Sequence, residues 1–269
     1  MGIVQGATEF IPVSSSGHLV VIPWLLGWER DAEIGLFFDT VLHWGTLVAI
    51  IWVFWRELWT MFLAALTSIW KRSLADPQAR VAWYVVIGTI PAATVGLLFK
   101  EFFATLYMNP PMAGVSLLVT AALLAGSEYL IRNAKQFRLL EQLKLPDAVI
   151  IGLAQAVALV PGISRSGSTI AAGLTRRIRR DEAARFSFYL GTPVFLGAGL
   201  LELNTVMSLN GGQISANLPA LLAGFAASAI VGVIAIRFLL SYLRQHSLNI
   251  FAIYCAILGL LVLVLSYVR

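Results

Sequence analysis

The apolar residues of this chain come in blocks, not in alternation. Six blocks are long enough to cross a bilayer as helices: residues 34–55, 81–99, 112–131, 183–203, 218–240 and 250–268. Residues 58–70 are apolar but too short to span, and read as an interfacial helix. Blocks rather than period-two alternation exclude an outer-membrane barrel. Two further regions, 1–27 and 148–174, are apolar at both ends with a Pro, Ser and Gly cluster between. Each reads as two half-helices around a break.

The clusters are related. Residues 5–18 read QGATEFIPVSSSGH, and residues 155–167 read QAVALVPGISRSG. At an offset of 150 without a gap, Gln5 falls on Gln155, Ser14 on Ser164, Ser16 on Ser166 and Gly17 on Gly167. Ser15 falls on Arg165, Glu9 on Leu159 and His18 on Ser168. Gly45-Thr46 and Gly191-Thr192 add weak support for a duplication.

Charge places these regions in a membrane. Only 12% of residues are charged and 59% are hydrophobic, against about a quarter charged in soluble domains. Arg56, Lys71, Arg72 and Arg80 follow the first span, and Arg132, Lys135, Arg138 and Lys144 the third. Arg176, Arg177, Arg179, Arg180 and Arg185 follow the second irregular region, and Arg237 and Arg244 precede the last span. The opposite loops, among them 204–219, hold only Arg30, Lys100 and Arg269. This asymmetry survives only if region 148–174 enters and leaves from the cytoplasmic face. Region 1–27 then approaches from the other face. The expected fold is an all-α polytopic membrane protein. It has six full transmembrane helices and two re-entrant hairpins in an inverted-topology repeat, about 1–131 and 148–269, within one domain.

The net charge of +5 follows this topology and is no nucleic-acid footprint. Cys255 alone cannot form an internal disulfide. No cleavable signal pattern precedes the motif, which begins so early that part of the first half-helix is expected to be missing.

The two breaks carry the chemistry. Half-helix N-termini at mid-membrane present free N–H groups to oxyanions. Ser164, Arg165 and Ser166 add hydroxyls and a guanidinium, and Arg165 reads as a phosphate clamp. Gln5 and Glu9 share a helix face and suit a hard divalent cation; metal-free base action by Glu9 is the alternative. Ser14, Ser15 and Ser16 each read as nucleophile, phosphate ligand or helix cap. Ser15 is the choice for nucleophile, because its match to Arg165 places it at the tip. His18, beside the hydroxyls, reads as a general acid or base; a packing histidine is the plain alternative. Asp39, Glu128 and Glu202 suit interhelical polar contacts, and His43 is spaced to pair with Asp39. Gly88 and Gly191 read as close-packing positions, and the arginines at 176–180 set orientation.

Together the Gln-x3-Glu element, FIPVSSSGH and PGISRSG resemble the bacitracin-resistance type of undecaprenyl-diphosphate phosphatase over almost the whole chain. The resemblance implies a multi-pass enzyme of the bacterial inner membrane. Its activity would be hydrolysis of undecaprenyl diphosphate to undecaprenyl phosphate and inorganic phosphate, recycling the carrier for peptidoglycan. It implies Mg²⁺ or Ca²⁺, a site opening to the periplasmic side, and membrane lipid as surroundings. By motif position it implies Gln5 and Glu9 as the acidic element, Ser14, Ser15 and His18 as the catalytic run, and Arg165 at the diphosphate. Gln5 replaces the acid common at that position. A homodimer is compatible with these expectations. The rival class is a polyprenyl-lipid flippase or transporter, since inverted repeats with broken helices are frequent there.

Overall fold

The computed structural model describes residues 1–28, 32–106, 109–208 and 211–268, with backbone alone for 32–34, 36, 100, 104–105, 202–208 and 211–216. In order the helices are α1 (Gly2–Phe10), α2 (Ser15–Leu26), α3 (Ala32–Lys71), α4 (Pro77–Leu98), α5 (Lys100–Leu106) and α6 (Pro110–Ile131). They continue as α7 (Leu145–Val157), α8 (Arg165–Thr175), α9 (Arg180–Ser208), α10 (Gly211–Leu243) and α11 (Asn249–Val268). A single bridge between Arg138 and Ile178 is the only extended pairing among the described residues.

Local chemistry sets the ends. Pro12 biases the residue before it to extended backbone, and α1 stops at Ile11 with φ −61° and ψ 130°. Ser14 restarts the chain as α2 by accepting from Gly17 N–H at 3.1 Å. Ser164 does the same for α8, accepting from Gly167 N–H at 3.0 Å. Asp76 and Asn109 cap α4 and α6, each followed by a proline in the first turn.

Five helices are long and apolar enough to cross a membrane: α3 from Phe37, α4, α6, α10 from Asn217, and α11. The chain is therefore a multi-pass membrane protein. The expected span 183–203 lies within α9 and is not among these five in the described residues; Arg185 falls inside it, and 202–208 are described by backbone alone. The side chain of Glu202 lies outside the described residues. The expected interfacial helix 58–70 is continuous with the first span. Only Phe54, at φ −113° and ψ 19°, breaks the helical geometry, just before the boundary expected from hydropathy. The expected outer loop 204–219 is a correction: α9 runs to Ser208 and α10 starts at Gly211, with Pro219 inside it. A 33-residue helix absorbs the one backbone bond a proline removes.

The half-helices pack crosswise between the two halves of the chain. α1 lies on α10, and α7 lies on α4. Both contacts are backbone-close: a Cβ on Gly6 would stand 2.5 Å from Ser228 O, and one on Gly152 2.5 Å from Gly88 O. Phe10, at the end of α1, meets Phe188 of α9 edge-on at 5.3 Å, and Phe54 of α3 packs on the same ring. These three buried rings fix the residue before Phe10, which is Glu9.

α7 and α8 are clasped at their open end. Asp147, in the first turn of α7, accepts from Arg138 Nη1 and Arg176 Nε, each at 2.8 Å. Arg176 caps the far end of α8. Arg180 forks onto Glu128, which also accepts from Leu248 N–H, so Glu128 makes the interhelical contact expected of it. The arginines at 176, 179 and 180 thus have carboxylate partners.

Candidate active site

The two breaks meet. Gly162 N–H, in the second, donates to Ser16 Oγ, in the first, at 3.1 Å. Gly162 has φ 89° and close packing on Ser116 and Ala113, so only glycine suits it. Around this meeting lies a cavity of about 350 Å³. Its polar wall includes Glu9, Ser15, His43 and Arg165; its apolar wall includes Trp44, Leu159 and Phe195.

Glu9 is the hub. Its Oε2 accepts from Ser15 Oγ at 2.7 Å and from Gln5 Nε2 at 2.9 Å. Its Oε1 accepts from Arg165 Nη2 at 3.0 Å. His43 Nε2 stands 3.6 Å from Oε2. Glu9 is 5% exposed, and a carboxylate this buried is tolerable only when paired and hydrogen-bonded.

Arg165 is held on three sides. Its Nη1 donates to Ser187 O at 2.9 Å, and its Cζ lies 4.6 Å above the Phe195 ring. Gly191 supplies the space: a Cβ there would stand 2.5 Å from Nη1. The close packing expected at Gly191 takes a specific form: its missing side chain seats the guanidinium that reaches over from α8.

The serines divide by role. Ser15 alone aims its hydroxyl at a carboxylate. Ser14 and Ser164 cap their helices, and Ser16 Oγ takes the Gly162 N–H. Ser166 is buried with its Oγ 3.3 Å from Ser164 Oγ. Ser14 has φ 71° and ψ 96°, a sparsely populated conformation costing about 1–3 kcal/mol.

His18, expected as a general acid or base, has its ring turned from the Ser15–Glu9 pair. Its Nδ1 lies 2.7 Å from Ser14 O and its Nε2 2.7 Å from Tyr254 OH. Both ring nitrogens are engaged, and the ring faces α11. The histidine in the cavity is His43 instead. Its Nδ1 meets the Asp39 main-chain carbonyl at 2.7 Å, not the carboxylate the sequence spacing had suggested. Phe195 and Tyr254 lie in apolar spans where nothing local in the sequence singles them out, and the spacing of His43 from Asp39 gives no sign that it faces the cavity.

This arrangement prepares a hydroxyl beside a base and sets a guanidinium across from it. A group with developing negative oxygens is the ligand it suits.

Comparison with known proteins agrees in scope. Residues 1–261 match the family model described as bacitracin resistance protein BacA. Among similar proteins, the undecaprenyl-diphosphatase of Methanosphaera stadtmanae is 42% identical, covering 100% of this chain and 96% of the relative. That of Desulforudis audaxviator is also 42% identical, covering 100% and 97%. That of Rubrobacter xylanophilus is 44% identical, covering 97% and 94%. The chain belongs to the BacA family of bacitracin resistance proteins.

Proposed function

We propose that this chain hydrolyses undecaprenyl diphosphate, the reaction for which its relatives are named. The observation that carries the reading is the Ser15 hydroxyl aimed at Glu9 while Arg165 reaches the same carboxylate from the other break. Ser15 Oγ attacks the terminal phosphorus as its proton passes to Glu9. The bond from that phosphorus to the bridging oxygen breaks, and undecaprenyl phosphate leaves. Water then attacks the phosphoserine, the Ser15–phosphorus bond breaks, and Ser15 recovers its proton from Glu9 as phosphate departs. Arg165 holds the equatorial oxygens, where charge changes most.

A divalent cation, Mg²⁺ or Ca²⁺, belongs to this reading. Gln5 Oε1 is buried without a hydrogen-bond partner while Nε2 faces Glu9; with the amide turned over, its oxygen and the carboxylate would suit a hard cation. Among the described residues no group of three His, Cys, Asp or Glu forms a cage, so the cation would share its ligands with the diphosphate and water. Bound there, it would neutralise phosphate charge.

The topology we propose is six spans with α1–α2 and α7–α8 re-entrant from opposite faces, as an inverted repeat in one domain. The Asp147–Arg176 clasp supports entry and exit of α7–α8 on one side. The crossed packing of α1 on α10 and α7 on α4 supports the inverted relation. The protein would lie in the inner membrane with its cavity opening outward, and the apolar wall at Trp44 and Phe195 would take the start of the polyprenyl chain. The flippase reading leaves the Ser15–Glu9 pair unused.

The test is phosphate release from a short-chain polyprenyl diphosphate by detergent-solubilised protein with Mg²⁺. Turnover is expected without any membrane, and a pure transporter gives none. If Ser15→Ala keeps near-normal turnover while Arg165→Ala loses it, water replaces Ser15 as nucleophile.

A further inference from the structure

The two breaks share their capping bonds but differ at one backbone position. Ser14 has φ 71° and ψ 96°, whereas Ser164, its repeat partner, has φ −66° and ψ 117°. A residue with a side chain rarely adopts the first conformation, and it persists only where neighbours hold it. The neighbour is His18. Its Nδ1 lies 2.7 Å from Ser14 O, and its main-chain N–H donates to the same oxygen at 3.2 Å. A carbonyl only accepts, so Nδ1 carries the proton. Nε2 then accepts from the Tyr254 hydroxyl at 2.7 Å, with the two rings nearly parallel at 5.7 Å. In the second break the matching residue is Ser168, whose buried Oγ makes no hydrogen bond. The unusual backbone and the histidine occur together in one copy and are both missing from the other.

The carbonyl that His18 holds belongs to the peptide joining Ser14 to Ser15. Fixing that plane fixes the direction of Ser15 Oγ, which lies 2.7 Å from Glu9 Oε2. We infer that His18 is a positioning residue, braced by Tyr254 of α11, which aims Ser15 through the Ser14 backbone. It does not exchange protons with the substrate. The inference rests on the proposed reading of Ser15 as the reacting hydroxyl.

Asparagine and glutamine separate positioning from acid–base action. His18→Asn places an amide N–H where the imidazole Nδ1–H stood, and it cannot take up a proton. His18→Gln reaches only the Nε2 position. Each variant is first checked for elution volume and melting temperature, then assayed for phosphate release from a short-chain polyprenyl diphosphate. The Asn variant is expected within about tenfold of the unmodified kcat, with an unchanged pH profile. The Gln and Ala variants are expected to lose about a hundredfold in kcat at similar KM, the scale of an ångström's misplacement. Tyr254→Phe should lose less than His18→Ala and keep its pH profile. In ¹⁵N NMR of histidine-labelled protein, His18 should be the Nδ1–H tautomer. An Asn variant as inactive as the Ala variant, a lost limb in its pH profile, or an Nε2–H tautomer overturns the inference. Unmodified protein that releases no phosphate sinks the proposed reaction instead, and the tautomer still decides whether His18 braces Ser14.

Discussion

Arg165 and Glu9 lie 156 residues apart in sequence and 3.0 Å apart in space, each at the end of a broken helix. The pair joins the two halves of the chain at the cavity. Arg165 also donates to Ser187 O, so its two terminal nitrogens point in fixed, different directions. Lysine has no such fork. Arg165→Lys should therefore raise KM and lower kcat/KM by about a hundredfold, the cost of misplacing a binding group by an ångström. Steady-state phosphate release checks this. Arg165→Ala should also lower the melting temperature in detergent, because it leaves Glu9 buried without its cation.

Gly191 offers a milder perturbation of the same group. A methyl there would stand 2.5 Å from Arg165 Nη1 and 2.9 Å from Cζ, so the guanidinium must move. Gly191→Ala should reduce kcat/KM by about tenfold or more while the protein stays folded, since alanine favours helix over glycine by about 1 kcal/mol. A melting temperature equal to or above the unmodified value, with impaired turnover, is the expected pair of readings. Full activity would mean that the seat is not tight.

Gln5 and Glu9 bear on the cation. Chelation with EDTA should abolish most phosphate release, and added Mg²⁺ or Ca²⁺ should restore it. Gln5→Glu adds a second carboxylate and should lower the Mg²⁺ concentration for half-maximal rate. Gln5→Leu removes the oxygen and should raise it. A cation titration identical in all three proteins would place the ion elsewhere.

The clasp at the open end of α7–α8 gives a pH dependence. Burial works to raise the Asp147 pKa, but hydrogen bonds from Arg138 and Arg176 outweigh it and hold the carboxyl below its ordinary value. A depressed folded pKa means stability that is fully present above the unfolded value, about 3.9, and lost as pH falls through the lower folded value. Asp147→Asn should therefore melt below the unmodified protein at pH 7. The gap should narrow as pH is lowered from about 4. Thermal melts in detergent across this range check the sign.

Much of this was legible in the chain. The period of the apolar blocks gave the helices, because a bilayer leaves buried backbone few other ways to satisfy its polar groups. The breaks were legible because Pro12 and the serine caps act on their immediate neighbours. That Glu9 and Gln5 share a face followed from a spacing of four. The end of α9 and the start of α10 were not, since Asn, Gly and Pro were read as a loop where long helices carry through. The direction of the His18 ring was not legible for a different reason. Its distance from Ser15 along the chain is short, but the helix turns its ring toward Tyr254, 236 residues away.

By itself, then, the sequence determined the membrane class, the helix breaks, and the identity of Glu9, Ser15 and Arg165 as the unusual groups in apolar surroundings. Each of these depends on local backbone chemistry or on the cost of charge in hydrocarbon. Only the tertiary structure decided that Arg165 and Ser15 meet on one carboxylate, that Gly191 makes the room, and that His43 rather than His18 faces the cavity. Those facts depend on how α1, α3, α8 and α9 pack around Phe10 and Phe188, and contacts between distant helices leave no periodic trace in the chain.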